Sequence, residues 1–258
     1  MGAKENIMAE VTQNPQLVLV GGISGGGKSA SLRNIRNQER WLYLNAENGK
    51  RLPFKNNFMN GGFTITDPYQ VHEAFDHATN NIPEQVDGII VDTITFLLDM
   101  YESLYIRNAP NTQKAWGDFA DFTRVLFQQK IALFGKPVII LAHVLETLDE
   151  KAMEMKTAVP VKGSTKNQGI EAFFSTVVEA TKLPIRELED YAVEANPFLK
   201  IDEEEELIGV KHVFQTRLTR TTVGKRIRSP MGMFTREQTF IDNDAQLLLD
   251  HLKDFYGL

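Results

Sequence analysis

The sequence predicts an α/β fold with a mainly parallel central sheet, helices on both faces and a C-terminal β extension. Three observations predict it. Short apolar runs (LVLV, WLYLN, GIIV, VIILA) alternate with longer segments of helical period, as strands buried on both faces do. A glycine-rich turn follows the first run directly. The 258 residues, 42% hydrophobic and 24% charged, match a globular chain able to bury one large core.

The elements follow in order. Leu17–Val20 is a short apolar run ending in glycines and reads as a buried strand; Lys28–Asn37 follows as a helix. Trp41–Asn45 and Phe63–Thr66 are the next strands. Asp67 and Pro68 suit the start of a helix over Tyr69–Thr79. Gly88–Val91 is a fourth strand, bounded by Asp87 and Asp92, and a helix runs from Ile94 to Arg107. Trp116, Phe119, Ala120, Thr123, Leu126, Phe127, Ile131 and Phe134 mark one buried face of a helix over Lys114–Phe134. Val138–Ala142 is a fifth strand, introduced by Gly135 and Pro137.

After His143 the pattern changes. Residues 144–163 read as a loop or flexible hairpin, Gly169–Phe174 as a short helix and Thr176–Ala180 as a strand. Residues 186–206 are acidic and read as a solvated excursion. Residues 211–236 turn basic and β-like, with a turn around Gly224, and Asp244–Phe255 forms a closing helix. The chain divides into an N-terminal extension, 1–14, and a single domain, 15–258.

Composition narrows the chemistry. With no cysteine, the chain has no disulfide, thiolate zinc site or cysteine nucleophile, which fits a reducing cytoplasm. The five histidines are scattered without ligand spacing. The N-terminus does not read as a signal peptide, and no apolar run is long enough to span a membrane. A net charge of −6 argues against a broad nucleic-acid-binding coat, though not against a local basic patch.

The sharpest motif is Gly22-Ile23-Ser24-Gly25-Gly26-Gly27-Lys28-Ser29, which fits the phosphate-binding loop G-x-x-x-x-G-K-[ST]. Glycines let successive backbone N–H groups approach phosphate oxygens, and the next helix, with Ala30 in its first turn, aims its N-terminus at the same anion. Lys28 would reach the β- and γ-phosphates, and Ser29 would ligate Mg²⁺. Asp92, ending GIIV, has the position of a metal-associated carboxylate. Glu47, just past the second strand, is a candidate base for water, because strand carboxyl ends face the ligand crevice in open α/β sheets. His143 ends the fifth strand; sensing the γ-phosphate, orienting water and simple packing all remain open to it. No Asn-Lys-x-Asp guanine motif occurs (Thr165-Lys166-Asn167-Gln168 does not match), so ATP is expected rather than GTP.

GGISGGGKS, LYLNAE, GIIVDTIT and VIILAH together resemble the RecA-like P-loop ATPases, most closely the compact single-domain versions of bacteriophages associated with single-strand annealing and recombination. GSTKNQGIEAFFSTVVEATK and the basic C-terminal segment look similar as well, so the resemblance covers roughly residues 15–240. It implies that Glu47 activates water and that His143 follows the γ-phosphate-sensing strand. Residues 144–163, with Lys151, Lys156 and Lys162, correspond to a DNA-contacting loop. It further implies a ring or filament of identical chains, completed by a cation from the adjacent subunit. Lys225 and Arg226 are the candidates for that cation. The expected partners are ATP, Mg²⁺, single-stranded DNA and a phage annealing or single-strand-binding protein, in the host cytoplasm. The alternative is an ATP-gated switch or loader for a replication or packaging protein, without DNA contact. A small-molecule kinase fits less well, because no arginine-rich lid is evident.

Overall fold

The apolar runs become the middle of one sheet, since strands that are apolar on both faces are stable only between two covering layers. The computed structural model describes residues 14–150, 153–166 and 168–258. Its strands are β1 (Leu17–Gly22), β2 (Trp41–Asn45), β3 (Phe63–Thr64), β4 (Gly88–Asp92), β5 (Val138–His143), β6 (Leu145–Asp149), β7 (Glu154–Ala158), β8 (Thr176–Pro184), β9 (Val210–Gln215) and β10 (Phe240–Asp242). Eight of them form the sheet β10-β9-β8-β1-β5-β4-β2-β3, while β6 and β7 make a separate hairpin. From β3 to β8 neighbouring strands are parallel; β9 and β10 continue the sheet antiparallel. The expected α/β architecture with a C-terminal β extension is therefore present.

Helices cover both faces. On one side lie α1 (Tyr69–Asn80), α2 (Ile94–Tyr101), α3 (Thr112–Val125) and α4 (Ile131–Phe134). Their Phe75, Leu97, Phe119 and Ile131 pack with Leu19, Ile89 and Ile140 of the sheet. Single π-helical turns, Glu102–Ile106 and Leu126–Lys130, extend α2 and join α3 to α4, so the two long helices stand close to their expected spans. On the other side α6 (Ala245–Tyr256) and the segment after β1 pack Leu248, Leu252, Leu32 and Ile35 against Val18, Val20, Ile90 and Phe214. Adjacent residues of one strand thus feed opposite cores, as the strand's alternation requires.

Several local expectations change. The helix expected over Lys28–Asn37 is a 3-10 helix, Ser29–Asn34, because Ile35 turns extended to bury itself and Asn37 takes a left-handed conformation. The strand expected over Phe63–Thr66 stops at Thr64 on the sheet edge. The short helix expected near 169–174 is a 3-10 turn, Ile170–Phe173, and the 144–163 segment does form a hairpin.

The acidic stretch 186–206 keeps its carboxylates exposed, all but the half-buried Glu205, as expected, yet it is anchored to the domain. Leu188 and Leu199 are buried, and the Asn196 amide donates to the carbonyls of Tyr191, Glu237 and Phe240. Its glutamate run opens α5 (Glu203–Ile208): Asp202 and Glu205 form a reciprocal cap, and four carboxylates sit where the helix dipole favours them. The basic segment is β only as far as Gln215; beyond it, isolated bridges Thr157↔Lys225 and Val177↔Arg228 hold an irregular path. Of the N-terminal extension, residues 1–13 lie outside the described residues, as does Lys151. Among the described residues no helix is long and apolar enough to cross a membrane.

Candidate functional site

Sheet register brings the motifs together. Gly22 of β1 pairs with His143 of β5, Asp92 of β4 pairs with Leu141 of β5, and Asn45 of β2 pairs with Asp92. Four carboxyl ends therefore open at one level, and Glu47 follows two residues beyond Asn45. β5 lies between the loop-bearing strand and the Asp92 strand. A cleft of about 310 Å³ opens there, lined by Ser24, Gly25, Gly27, Lys28, Ser29 and Ala30 on one side. Tyr43, Glu47, Asp92 and His143 line it on another.

The loop needs its glycines for contact as much as for conformation. Gly27 has φ +103, and a Cβ there would stand 2.6 Å from the Asn243 amide nitrogen. A Cβ on Gly26, or on Gly22, would stand 2.6 Å from the Ala180 carbonyl oxygen. The Asn243 amide donates to the Gly27 carbonyl at 2.9 Å, and His212 Nε2 lies 3.2 Å from the Gly25 carbonyl. The loop is thereby held from outside by β9 and by the start of α6.

Lys28 is buried, with Nζ 2.9 Å from the carbonyls of both Gly22 and Ile23. Burial lowers its pKa to about 8, against the raising influence of Glu47 and Asp92. The Ser29 hydroxyl and the Tyr43 hydroxyl each donate to Asp92 Oδ2 at 2.9 Å. Burial pushes the Asp92 carboxyl above the usual range, while those two hydrogen bonds pull it down. Its other oxygen, Oδ1, is buried with no hydrogen-bond partner among the described residues, and the Asp92–Thr93 peptide is cis.

That orphaned oxygen beside a serine hydroxyl suits a hard divalent cation. No group of three or more His, Asp or Glu side chains able to hold a metal occurs among the described residues. Ser29 and Asp92 would accordingly share such an ion with oxygens from the ligand, as phosphate-bound Mg²⁺ sites do.

Glu47 and His143 meet directly. Glu47 Oε1 lies 3.1 Å from His143 Nε2, and Lys50 Nζ donates to Glu47 Oε2 at 2.9 Å. Lys28 Nζ lies 3.4 Å from His143 Nδ1. An ammonium only donates, so Nδ1 accepts, and the proton sits on Nε2 facing the carboxylate. The histidine hydrogen bond, followed by Lys50, holds the Glu47 pKa at about 2 against the opposing effect of burial. The outer face of the His143 ring meets Phe96 edge to face.

The structure brings Gly22, Ser24, Gly25, Gly26, Gly27, Lys28, Ser29, Ala30, Glu47, Asp92 and His143 together, and leaves Lys225 and Arg226 apart. Lys225 Nζ sits 2.6 Å from Glu179 Oε1, and Arg226 Nη1 3.0 Å from Glu171 Oε2. Both carboxylates are buried, so these two cations are paired within their own chain, away from the cleft. Nor do they pair with the acidic stretch 186–206. The hairpin lysines are also tied down, Lys156 to Asp149 and Lys162 to Glu102. Tyr43, Lys50, Arg51, His212 and Asn243 escaped sequence reasoning, since their approach depends on strand order. Only WLYLN, ending beside the site, gave a usable signal for Tyr43.

No protein-family profile matches this chain, and no curated protein matches it. Among solved structures, the RadB recombinase is similar at 16% identity, covering 65% of this chain and 75% of that one, with a TM-score of 0.40.

Proposed function

We propose that the chain is a RecA-like ATPase that binds and hydrolyses ATP with Mg²⁺, works as a ring or filament, and acts on single-stranded DNA. Phage recombination or annealing in the host cytoplasm is the setting this reading favours. One observation carries the ATPase part: Lys28, Ser29, Asp92, Glu47 and His143 come from four different stretches of sequence and converge on one cleft. A phosphate-binding loop alone holds an anion; a carboxylate–histidine pair beside it offers a way to orient water.

In this reading the loop amides and Lys28 bind the phosphates, and Ser29 with Asp92 holds Mg²⁺, which when bound neutralises phosphate charge. Lys28 leaves the carbonyls of Gly22 and Ile23 to reach the γ-phosphate. Glu47, kept ionised, accepts a hydrogen bond from water, while His143 fixes the carboxylate and follows the position of Lys28. The closeness of His143 to both groups makes it the link between phosphate and base.

Steady-state ATP hydrolysis, with and without single-stranded DNA, tests the proposal. Lys28→Ala should abolish nucleotide binding, whereas Glu47→Gln should retain binding and lose at least a hundredfold in turnover. Normal turnover by Glu47→Gln refutes its role, and absence of ATP binding by the unaltered protein refutes the whole reading. The switch or loader alternative draws on a different observation, the pairing of Lys225 and Arg226 within their own chain. ATP binding with no DNA effect would favour it.

A further inference from the structure

A second cleft, of about 690 Å³, adjoins the phosphate cleft and shares Tyr43 and residues 50–53 as a common wall. It lies between the carboxyl end of β2 and the edge strand β3. Lys50, Arg51 and Lys55 line it with Asn45 and Asn56, and no acidic side chain among the described residues does. Lys50 is paired with Glu47, but Arg51 and Lys55 are exposed and make no ion pair among the described residues. Phe63, at the sheet edge, stands exposed in the same cleft, and Phe54 lies half-buried across it.

Unpaired cations beside an accessible aromatic face are the two components of a site for unstacked nucleotides. The cations hold the phosphodiester backbone, and the ring offers a base a stacking surface of any sequence. A duplex keeps its bases stacked inside and cannot lay one on Phe63, and the carboxylates of an acidic peptide gain nothing from the ring. We propose that this cleft binds single-stranded nucleic acid, with Arg51 and Lys55 on phosphates and Phe63 under a base. The inference rests on the ATPase reading and deepens it. The strand would lie one residue from the Lys50–Glu47 contact, so that its arrival bears on the carboxylate that orients water.

The test is fluorescence anisotropy of a labelled oligo-dT, over a salt series, with the full-length protein. Lys55→Glu and Phe63→Ala should each weaken binding about tenfold. Their signatures differ: Lys55→Glu should flatten the salt dependence, and Phe63→Ala should leave its slope unchanged. Both positions lie outside the phosphate cleft, so binding of a fluorescent ATP analogue should persist in both. Loss of that analogue from the unaltered protein would sink the ATPase reading instead, and separates the two failures. The double variant Arg220→Ala, Arg228→Ala removes exposed cations of the 211–236 segment and should leave oligo-dT affinity within about twofold. Loss of affinity in that double variant, with Lys55→Glu and Phe63→Ala unaffected, overturns the proposal. So does duplex DNA or poly-glutamate competing as well as oligo-dT, or no binding at all.

Discussion

The basic segment 211–236 and the short basic stretch 50–55 start from the same residue types, and the fold uses them differently. In the longer segment, Lys211 reaches Glu205 and Asp242, Lys225 reaches Glu179, Arg226 reaches Glu171, and Arg217 donates to the Phe234 carbonyl. Lys225 thereby clamps the irregular chain to β8, and the Thr157↔Lys225 bridge ties the same stretch to β7. In the shorter stretch only Lys50 is engaged; Arg51 and Lys55 face a cleft without carboxylates among the described residues. Charge density along a sequence therefore says little about where a polyanion binds. What matters is whether the tertiary structure supplies buried acids nearby, since a cation already paired offers a phosphate no net gain.

The largest effect should come from breaking the clamp. Lys225→Met strands Glu179, which burial already pushes above its usual range despite Lys225. We expect a loss of about 3–5 kcal/mol at neutral pH, measurable by chemical denaturation. The sign with pH follows from the raised value: acidification protonates the stranded carboxyl, so the deficit should shrink as pH falls. Arg51→Met, in the open stretch, should change stability by less than about 0.5 kcal/mol. Equal losses in the two variants would break the comparison.

Glu47→Gln sharpens it, because Glu47 engages the one paired cation of the short stretch. Its carboxyl is held at about 2, below the ordinary carboxylate range, so its ionised form stabilises the fold above about pH 4.5. That stabilisation is lost as pH falls through about 2. The variant should be less stable by about 1–2 kcal/mol at pH 7, with the gap closing between those limits in a Tm-versus-pH series. A gap independent of pH would show that the carboxylate's charge is not what the site holds. The smallest effect is expected from Lys156→Ala on the hairpin: its pair with Asp149 lies in solvent, so no shift in Tm should be seen.

What was legible in the sequence was what depends on neighbours along the chain. Four apolar runs gave the buried strands, 3.6-residue spacing gave the long helices, Asp244 gave the start of the last one, and the glycine spelling gave the tight turn after β1. Even Asp92, Glu47 and His143 were reachable, because strand ends converge in any open parallel sheet. Local reading could not see the contacts that distant groups decide. The acidic stretch was ordered by Asn196 bonding to carbonyls more than forty positions away, and Lys225 and Arg226 were claimed by glutamates on β8 and just before it.

The sequence by itself determined the fold class, the glycine-rich turn and the residues at the strand ends, since periodicity and spacing are local properties. Only the tertiary structure decided which of those residues touch. It set His143 between Lys28 and Glu47, left Asp92 Oδ1 without a partner among the described residues, and braced Gly27 with Asn243, 216 positions away. Strand order brings these groups within hydrogen-bond distance, and strand order is settled by which apolar faces pack together, across separations that no local pattern encodes.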